Sequence, residues 1–336
     1  MKMEGGRKRR ALHAVLSAAC LLACGTAELH AQGAKDTAGF PNRPIRVVVP
    51  FTPGGQPDIV ARMIGPKLLE SLRQQFVVDN RPGAGGMIGT KIVASSAPDG
   101  YTLLSVSAAH AIGPAVRANL GYDPVKDFAG VTIMANAAYY LVIPNSVEAR
   151  TVKEFIALAK AKAGQLNFSS AGVGSASHFG GEMFKHAAGI DVVHVPHKGI
   201  PEALTDVVAG RAHYFLAPFG STAGLLKDGR LRALAVSTAQ RARAHPELPT
   251  IAESGLPGFR YDSWNALYAP AKTPRAVINK LNGEVARALK FPDVEQRLLA
   301  IGIEPASSTP AELDKFTAEQ VAASAELARR AGIKPE

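Results

Sequence analysis

Three glycine- and serine-rich segments each follow a short apolar run, and each has the composition to hold a small anion. The first is Pro50-Phe51-Thr52-Pro53-Gly54-Gly55-Gln56-Pro57-Asp58. Adjacent glycines let the backbone pass close to a ligand. Pro57 then fixes the first turn of a helix predicted through Ile59, Val60, Met63 and Ile64,. Free N–H groups at such a helix start, with the helix dipole behind them, suit a carboxylate. The same residues also read as a tight turn that binds nothing. The second segment, Ser169-Ser170-Ala171-Gly172-Val173-Gly174-Ser175-Ala176-Ser177-His178, leads into a helix through Phe179, Met183 and Phe184. The third is Arg81-Pro82-Gly83-Ala84-Gly85-Gly86-Met87-Ile88-Gly89.

Catalytic readings of these residues are weaker. Gly83-x-Gly85 has Ile88 where a dinucleotide-binding fingerprint needs glycine, and neither a phosphate-binding P-loop nor a G-x-S-x-G nucleophile elbow is present,. Ser175 and His178 lie three apart, whereas the base of a serine nucleophile normally comes from another loop,. A secreted hydrolase using Ser175 and His178 is the enzymatic alternative. His194 and His197 are the one close histidine pair, but Pro196 between them and the want of a third ligand nearby argue against a metal site,. No enzyme activity, metal or cofactor is expected.

The elements that must position these loops alternate strand and helix. Short apolar strands are predicted at Ile45–Phe51, Phe76–Val78, Tyr101–Val106, Tyr140–Ile143, Leu166–Ser169, Val192–Val195, Tyr214–Leu216 and Leu231–Ser237. Continuous apolar strands separated by helices indicate a mostly parallel sheet flanked by helices, an α/β architecture. Open sheets of that kind place ligands at the carboxyl ends of their strands, where the three segments fall. Thr151 with Glu154, and Thr309 with Glu312, form capping boxes at helix starts,. Thr273-Pro274 opens a helix with Val277, Leu281 and Val285 on one side, and Gly302 marks a helix end,.

The first residues read as an export leader. Arg7 to Arg10 are basic, Ala11 to Ala23 are apolar, and Leu29-His30-Ala31 offers a small-residue cleavage site,. Both cysteines, Cys20 and Cys24, lie inside this stretch, so a chain cut after Ala31 has no thiol to cross-link,. Cys24 as a lipidated residue is the minority alternative. The leader carries five basic and two acidic residues, so the surplus falls from +10 to +7. The remaining basic residues are dispersed with few aromatics among them, which points to anionic small molecules and away from nucleic acid. Residues 32–336 suffice for two domains.

Taken together, the segments resemble one family. Phe51-Thr52-Pro53-Gly54-Gly55 with Asp58, Asp79-Asn80-Arg81-Pro82-Gly83-Ala84-Gly85-Gly86, and Ala97-Pro98-Asp99-Gly100-Tyr101-Thr102-Leu103-Leu104 follow in its order. So do Val195-Pro196-His197-Lys198-Gly199, Leu231 to Val236, Leu248 to Gly255 and Trp264. The chain resembles the Bug family, extracytoplasmic receptors of tripartite tricarboxylate transporters, from about Phe40 to its end. The resemblance implies a two-lobed periplasmic binding protein of the Venus-flytrap type that closes on a small organic carboxylate and makes or breaks no bond. It also implies delivery to a membrane permease, with a sensor that feeds a signalling protein as the alternative partner. A monomer is expected.

The lobes implied are residues 40–142 with 262–336, and 143–261, joined near Tyr139–Pro144 and Phe259–Ala269. Family positions, read together with residues at the predicted strand ends, give the candidate ligand-binding set. On one lobe it comprises Phe51, Thr52, Gly54, Gly55 and Asp58, with Ser107 and His110 just past a strand at the cleft edge, where His110 reads equally as a cleft hydrogen-bonder and as a solvated loop histidine. On the other it comprises Ser170, Gly174, Ser175, His178, His197, Lys198 and Ala217. The chain departs from the family at His197, where tyrosine is frequent, at Pro57, where a small hydroxyl residue is usual, and at Ala217, where aspartate is frequent. That aspartate can meet an amino group, so its absence favours a plain mono- or dicarboxylate over an amino acid. Phe219 and Trp264 face either the cleft or the core.

Overall fold

The computed structural model describes residues 39–242, 245–330, 333 and 335; the leader, its cleavage site and Cys24 lie outside the described residues. The chain opens with β1 (Ile45–Val49), α1 (Gln56–Leu72) and β2 (Phe76–Asn80). A short 3₁₀ turn (Ala84–Gly86) precedes α2 (Met87–Ala94), β3 (Thr102–Ser107), α3 (Ala109–Val116) and β4 (Phe128–Pro144). Next come α4 (Val152–Ala161), β5 (Asn167–Ser170), α5 (Ala176–Ala188), β6 (Val193–Pro196), α6 (Ile200–Val208), β7 (Tyr214–Pro218), α7 (Phe219–Lys227) and β8 (Leu231–Val236). The chain returns through β9 (Asp262–Pro270), α8 (Arg275–Leu289), α9 (Pro292–Leu299), β10 (Ile303–Pro305) and α10 (Pro310–Arg330).

The helix starts follow their sequence signals. Thr151 Oγ1 accepts from the Glu154 N–H at 3.2 Å, and Val152, Phe155 and Ala159 are the buried face of α4. Thr309 and Glu312 exchange both capping bonds, at 2.7 and 3.2 Å,. Gly302 closes α9 in the left-handed region, with φ +69°.

The sheet runs β2-β1-β3-β9-β4-β7-β5-β6, with β10 and β8 also paired to β4. Parallel pairing holds for β1 with β2 and β3, and for β5 with β6 and β7. The pairings made by β4 and β9 are antiparallel, which corrects the expectation of mostly parallel sheets at the centre of the molecule. The reason is that β4 belongs to both halves. Its 17 residues extend about 55 Å at a strand's rise, enough to leave one sheet and enter the next,. Phe128–Ala138 pair with β9 and Tyr139–Pro144 with β7 and β8. The return connection is held where Tyr261 N–H bonds to Ser237 O at 2.8 Å and Ser237 N–H to Tyr139 O at 2.8 Å.

Strand alternation sorts the core. In the first half, Val47, Leu103 and Leu267 pack with Val60, Ile64 and Leu68 of α1 and with Leu281 and Val285 of α8. On the opposite face Leu104, Val106 and Tyr268 pack with Ile112 and Val116 of α3 and Leu313 of α10. A third cluster joins the halves: Phe51, Ala109 and Ala138 pack with Ala171, Ile200, Ala217 and Phe219.

Candidate functional site

The carboxyl ends of β1 and β3 face those of β5 and β7 across the middle of β4, and the loops that follow them touch. Thr52 Oγ1 donates to Glu202 Oε2 at 3.0 Å, and Ser221 Oγ donates to Gly54 O at 2.8 Å. Arg117, at the end of α3, donates from Nη2 to Val173 O at 2.9 Å. Backbone meets backbone at Gly85, where a Cβ would lie 1.7 Å from Val173 O, and backbone meets a side chain at Gly199, where it would lie 1.7 Å from Thr52 Oγ1. Two lobes are therefore in contact along one seam, with the Phe51–Phe219 cluster as its apolar part.

Each loop is held rigid from behind. Asp58 is 3% exposed; its Oδ2 accepts from the Gly54 N–H, and its Oδ1 from Asn80 Nδ2 and Arg62 Nε, all at 3.0 Å. Asp58 thus fastens the first loop from inside its own lobe. In the second lobe Ser175 Oγ caps α5 by accepting from the His178 N–H at 3.1 Å, and His178 Nδ1 accepts from the Gly174 N–H at 3.3 Å. Ser170 Oγ accepts from the Gly172 N–H at 3.0 Å and pairs with His194 Nε2 at 2.6 Å. The amides of Gly54, Gly172 and Gly174 are therefore bonded within their own loops, whereas the sequence reading has loop amides free. Among the described residues the first-turn N–H groups left to a ligand are that of Gln56 in α1, where Pro57 has no N–H and the Asp58 N–H bonds to Gly55 O at 3.0 Å, and those of Ala176 and Ser177 in α5,.

The other candidates separate. Ala217 is fully buried opposite Tyr140 on the β7–β4 pair, and Ser107 ends β3 with its Oγ accepting from the Ala109 N–H at 3.4 Å. Gly55 is the residue before α1 and is buried. His197 lies between Ser169 Oγ and Asp206 Oδ2, 3.4 Å from each, while Lys198 is exposed. His110 is 1% exposed among Tyr122, Phe128 and Tyr268, with Nε2 2.9 Å from Pro124 O. It is a core residue on the far face of β3, neither solvated nor at the seam. Burial pushes its pKa down to about 4,. Burial, then the Arg117 and Lys185 charges, lower His178 to about 4; burial, then His178, Lys185 and His197, lower His194 to about 3. Trp264 packs edge-on against Phe316 of α10, and Phe219 joins the seam cluster.

Sequence reasoning passes over Arg117, whose Nε is buried beside Gly174 without a partner among the described residues. Its segment, Val116-Arg117-Ala118-Asn119, carries no motif. Among the described residues no group of three His, Cys, Asp or Glu is placed to hold a metal ion.

These features define a two-lobed α/β binding protein with its loops meeting at the seam. The family pattern described as tripartite tricarboxylate transporter family receptor matches residues 60–333. Protein BugT of Bordetella pertussis is 34% identical over 311 residues, covering 92% of this chain and 95% of its own. The structure of Rhodopseudomonas palustris Rpa4515 with adipate has a TM-score of 0.86 at 35% identity, covering 88% of this chain and 100% of that one. MatC from the same species with bound malate gives 0.82 at 32%, covering 86% and 99%. The chain belongs to the TctC family of tripartite tricarboxylate transporter receptors, with the Bug proteins, and is a solute-binding protein of that family.

Proposed function

We propose that this chain captures a small organic carboxylate between its lobes, outside the cytoplasm, and presents the closed form to a membrane permease without altering the ligand. The observation that carries the reading is the seam itself: two helix starts, α1 and α5, come from opposite lobes and are locked by Asp58 and Ser175 behind them. Preorganised N–H groups of that kind favour an anion, each well-aligned bond to a charged group contributing about 1.5–3 kcal/mol. Arg117 adds a cation that bridges the seam. Relatives of this fold that hold adipate and malate support a carboxylate as the ligand class. Closure shields those bonds from water, and a partner selective for the closed form reads occupancy. Lobe limits of 40–142 with 262–336, and 143–261, belong to this proposal, as do cleavage after Ala31 and a monomeric state.

A hydrolytic role for Ser175 gains no support from its surroundings. Its Oγ accepts from the His178 backbone, and His178 Nδ1 accepts from Gly174, so both groups are engaged in holding the loop. Thermal denaturation with a panel of mono- and dicarboxylates tests the proposal, since a ligand specific to the folded state stabilises by mass action. Saturable stabilisation by a carboxylate, recovered intact by mass spectrometry after long incubation, is expected. Hydrolysis of a carboxylic ester that vanishes in Ser175→Ala, or no stabilisation across the panel, sinks it.

A further inference from the structure

Two side-chain amides beside the seam have no use in the folded chain. Gln56, 2% exposed, and Asn265, fully buried, each leave both the amide nitrogen and the amide oxygen without a partner among the described residues. A buried polar group without a bond costs on the order of 1–3 kcal/mol, so two complete amides are an expensive feature for a core to keep.

Their placement is fixed by the strands. Leu103, Ser105 and Ser107 share one face of β3 by alternation. Leu103 packs with Val60 and Ile64 of α1, and Ser105 Oγ donates to Pro57 O at 3.0 Å, so this face looks onto the start of α1. Asn265 lies directly opposite Ser107 on β9 and therefore on the same face; Leu267, two residues on, joins the same cluster. Gln56 is the first residue of α1, two residues after Gly54, whose carbonyl is bonded to Ser221 of the other lobe. Asn265 also pairs with Ala135, four residues before β4 enters the second sheet. Gln56 and Asn265 thus flank the floor of the seam from the first lobe.

We propose that Gln56 and Asn265 form an uncharged polar subsite that selects a carboxylate bearing a hydroxyl group. The inference rests on the receptor reading above. A carboxylate oxygen accepts only, and would leave both amide oxygens unbonded. A hydroxyl donates its one proton to one amide oxygen and accepts from an amide nitrogen, so it satisfies part of what an unsubstituted alkyl chain leaves bare. Sites built to bond a hydroxyl reject the analogue lacking it, because their own buried groups are then unpaired.

The test uses the full chain and matched acids: malate with succinate, 2-hydroxyglutarate with glutarate, and mandelate with phenylacetate, with Kd measured by calorimetry. The wild type is expected to bind the hydroxylated member of at least one pair ten-fold or more tightly. Gln56→Met and Asn265→Leu are each expected to bring that ratio within about three-fold, by weakening the hydroxylated member, tightening the unsubstituted one, or both. A second readout needs no ligand. Replacing an unbonded buried amide with an apolar side chain of similar shape is neutral or stabilising. Asn265→Leu should therefore melt at or above the wild-type temperature, and a fall of several degrees would overturn the assignment. If carboxylates bind with no preference within any pair, or the variants weaken both members equally, the subsite is refuted and the receptor reading stands. If no carboxylate binds, both fall.

Discussion

A single methyl group at Gly85 should prevent the lobes from meeting. An alanine Cβ there would lie 1.7 Å from Val173 O and 2.8 Å from Val173 C, both backbone atoms that no rotamer change can move. Restoring an ordinary contact requires the two backbones to part by about 1.5–2 Å at that point. The three bonds that cross the seam, from Arg117, Ser221 and Thr52, are 2.9, 2.8 and 3.0 Å long, and a shift of that size takes each beyond bonding range,. At about 0.5–1.5 kcal/mol for the neutral Ser221 bond and 1.5–3 for each of the two with a charged partner, the closed form loses on the order of 3.5–7.5 kcal/mol,. Affinity that depends on closure then falls by roughly 10²–10⁵-fold. Gly85 has φ +63°, so alanine also brings backbone strain of about 1 kcal/mol,. Gly189→Ala is the matched control: φ is +59° there, and no atom of the described residues lies within 4 Å of the added Cβ. Calorimetric titration with whichever acid stabilises the wild type, adipate and malate included, compares the two variants, and small-angle scattering reports the open form. If Gly85→Ala binds within three-fold of Gly189→Ala, closure at this seam is not what holds the ligand.

Other substitutions probe the supports. Asp58→Ala removes the acceptor for the Gly54 amide, Asn80 and Arg62, and should lower unfolding free energy by about 2–4 kcal/mol in urea titration,. Arg117→Gln should leave stability nearly unchanged and raise ligand Kd about 10–100-fold, chiefly through faster release in stopped-flow measurements,. Ser175→Ala loses the α5 cap and should cost about 1 kcal/mol of stability,. Acid should destabilise the fold through its neutral histidines. His110, held at about 4 against an ordinary 6.5, binds its proton more weakly folded than unfolded. Its contribution is complete above pH 6.5 and is lost as pH falls towards 4, on the order of 2 kcal/mol by pH 5. His178 and His194, at about 4 and 3, act in the same direction. Urea unfolding at pH 7 and pH 5 should show the drop, smaller in His110→Gln; equal stability at both pH values would refute it.

Local chemistry was legible in the chain. The capping pairs Thr151–Glu154 and Thr309–Glu312, the proline at the start of α1 and the glycine after α9 lie where the sequence places them, because each signal acts within about one helical turn,. The family order of loop segments likewise pointed to the family and its two lobes. Strand β4 was seen only at Tyr140–Ile143, since Gly130, Asn136 and the alanines at 129, 135, 137 and 138 weaken its first half as a strand signal,. Strand β9 read only as a crossing, and β10 was not seen.

What the sequence determined alone was the set of helix starts, the apolar strands and the loops able to meet an anion. Tertiary structure decided which groups remain free to do so. Asp58, Ser175 and His178 turn inward to brace their loops, and His110 is enclosed by aromatics on the far face of β3. Arg117 and Asn265 stand in segments with no motif to announce them, and Gln56 lies inside the first anion segment without a role of its own in that pattern. The seam bonds join residues 56, 150 and 167 positions apart. A pattern along the chain constrains neighbours a few residues away, whereas the partner of a side chain across two lobes is set only when both sheets have formed on β4.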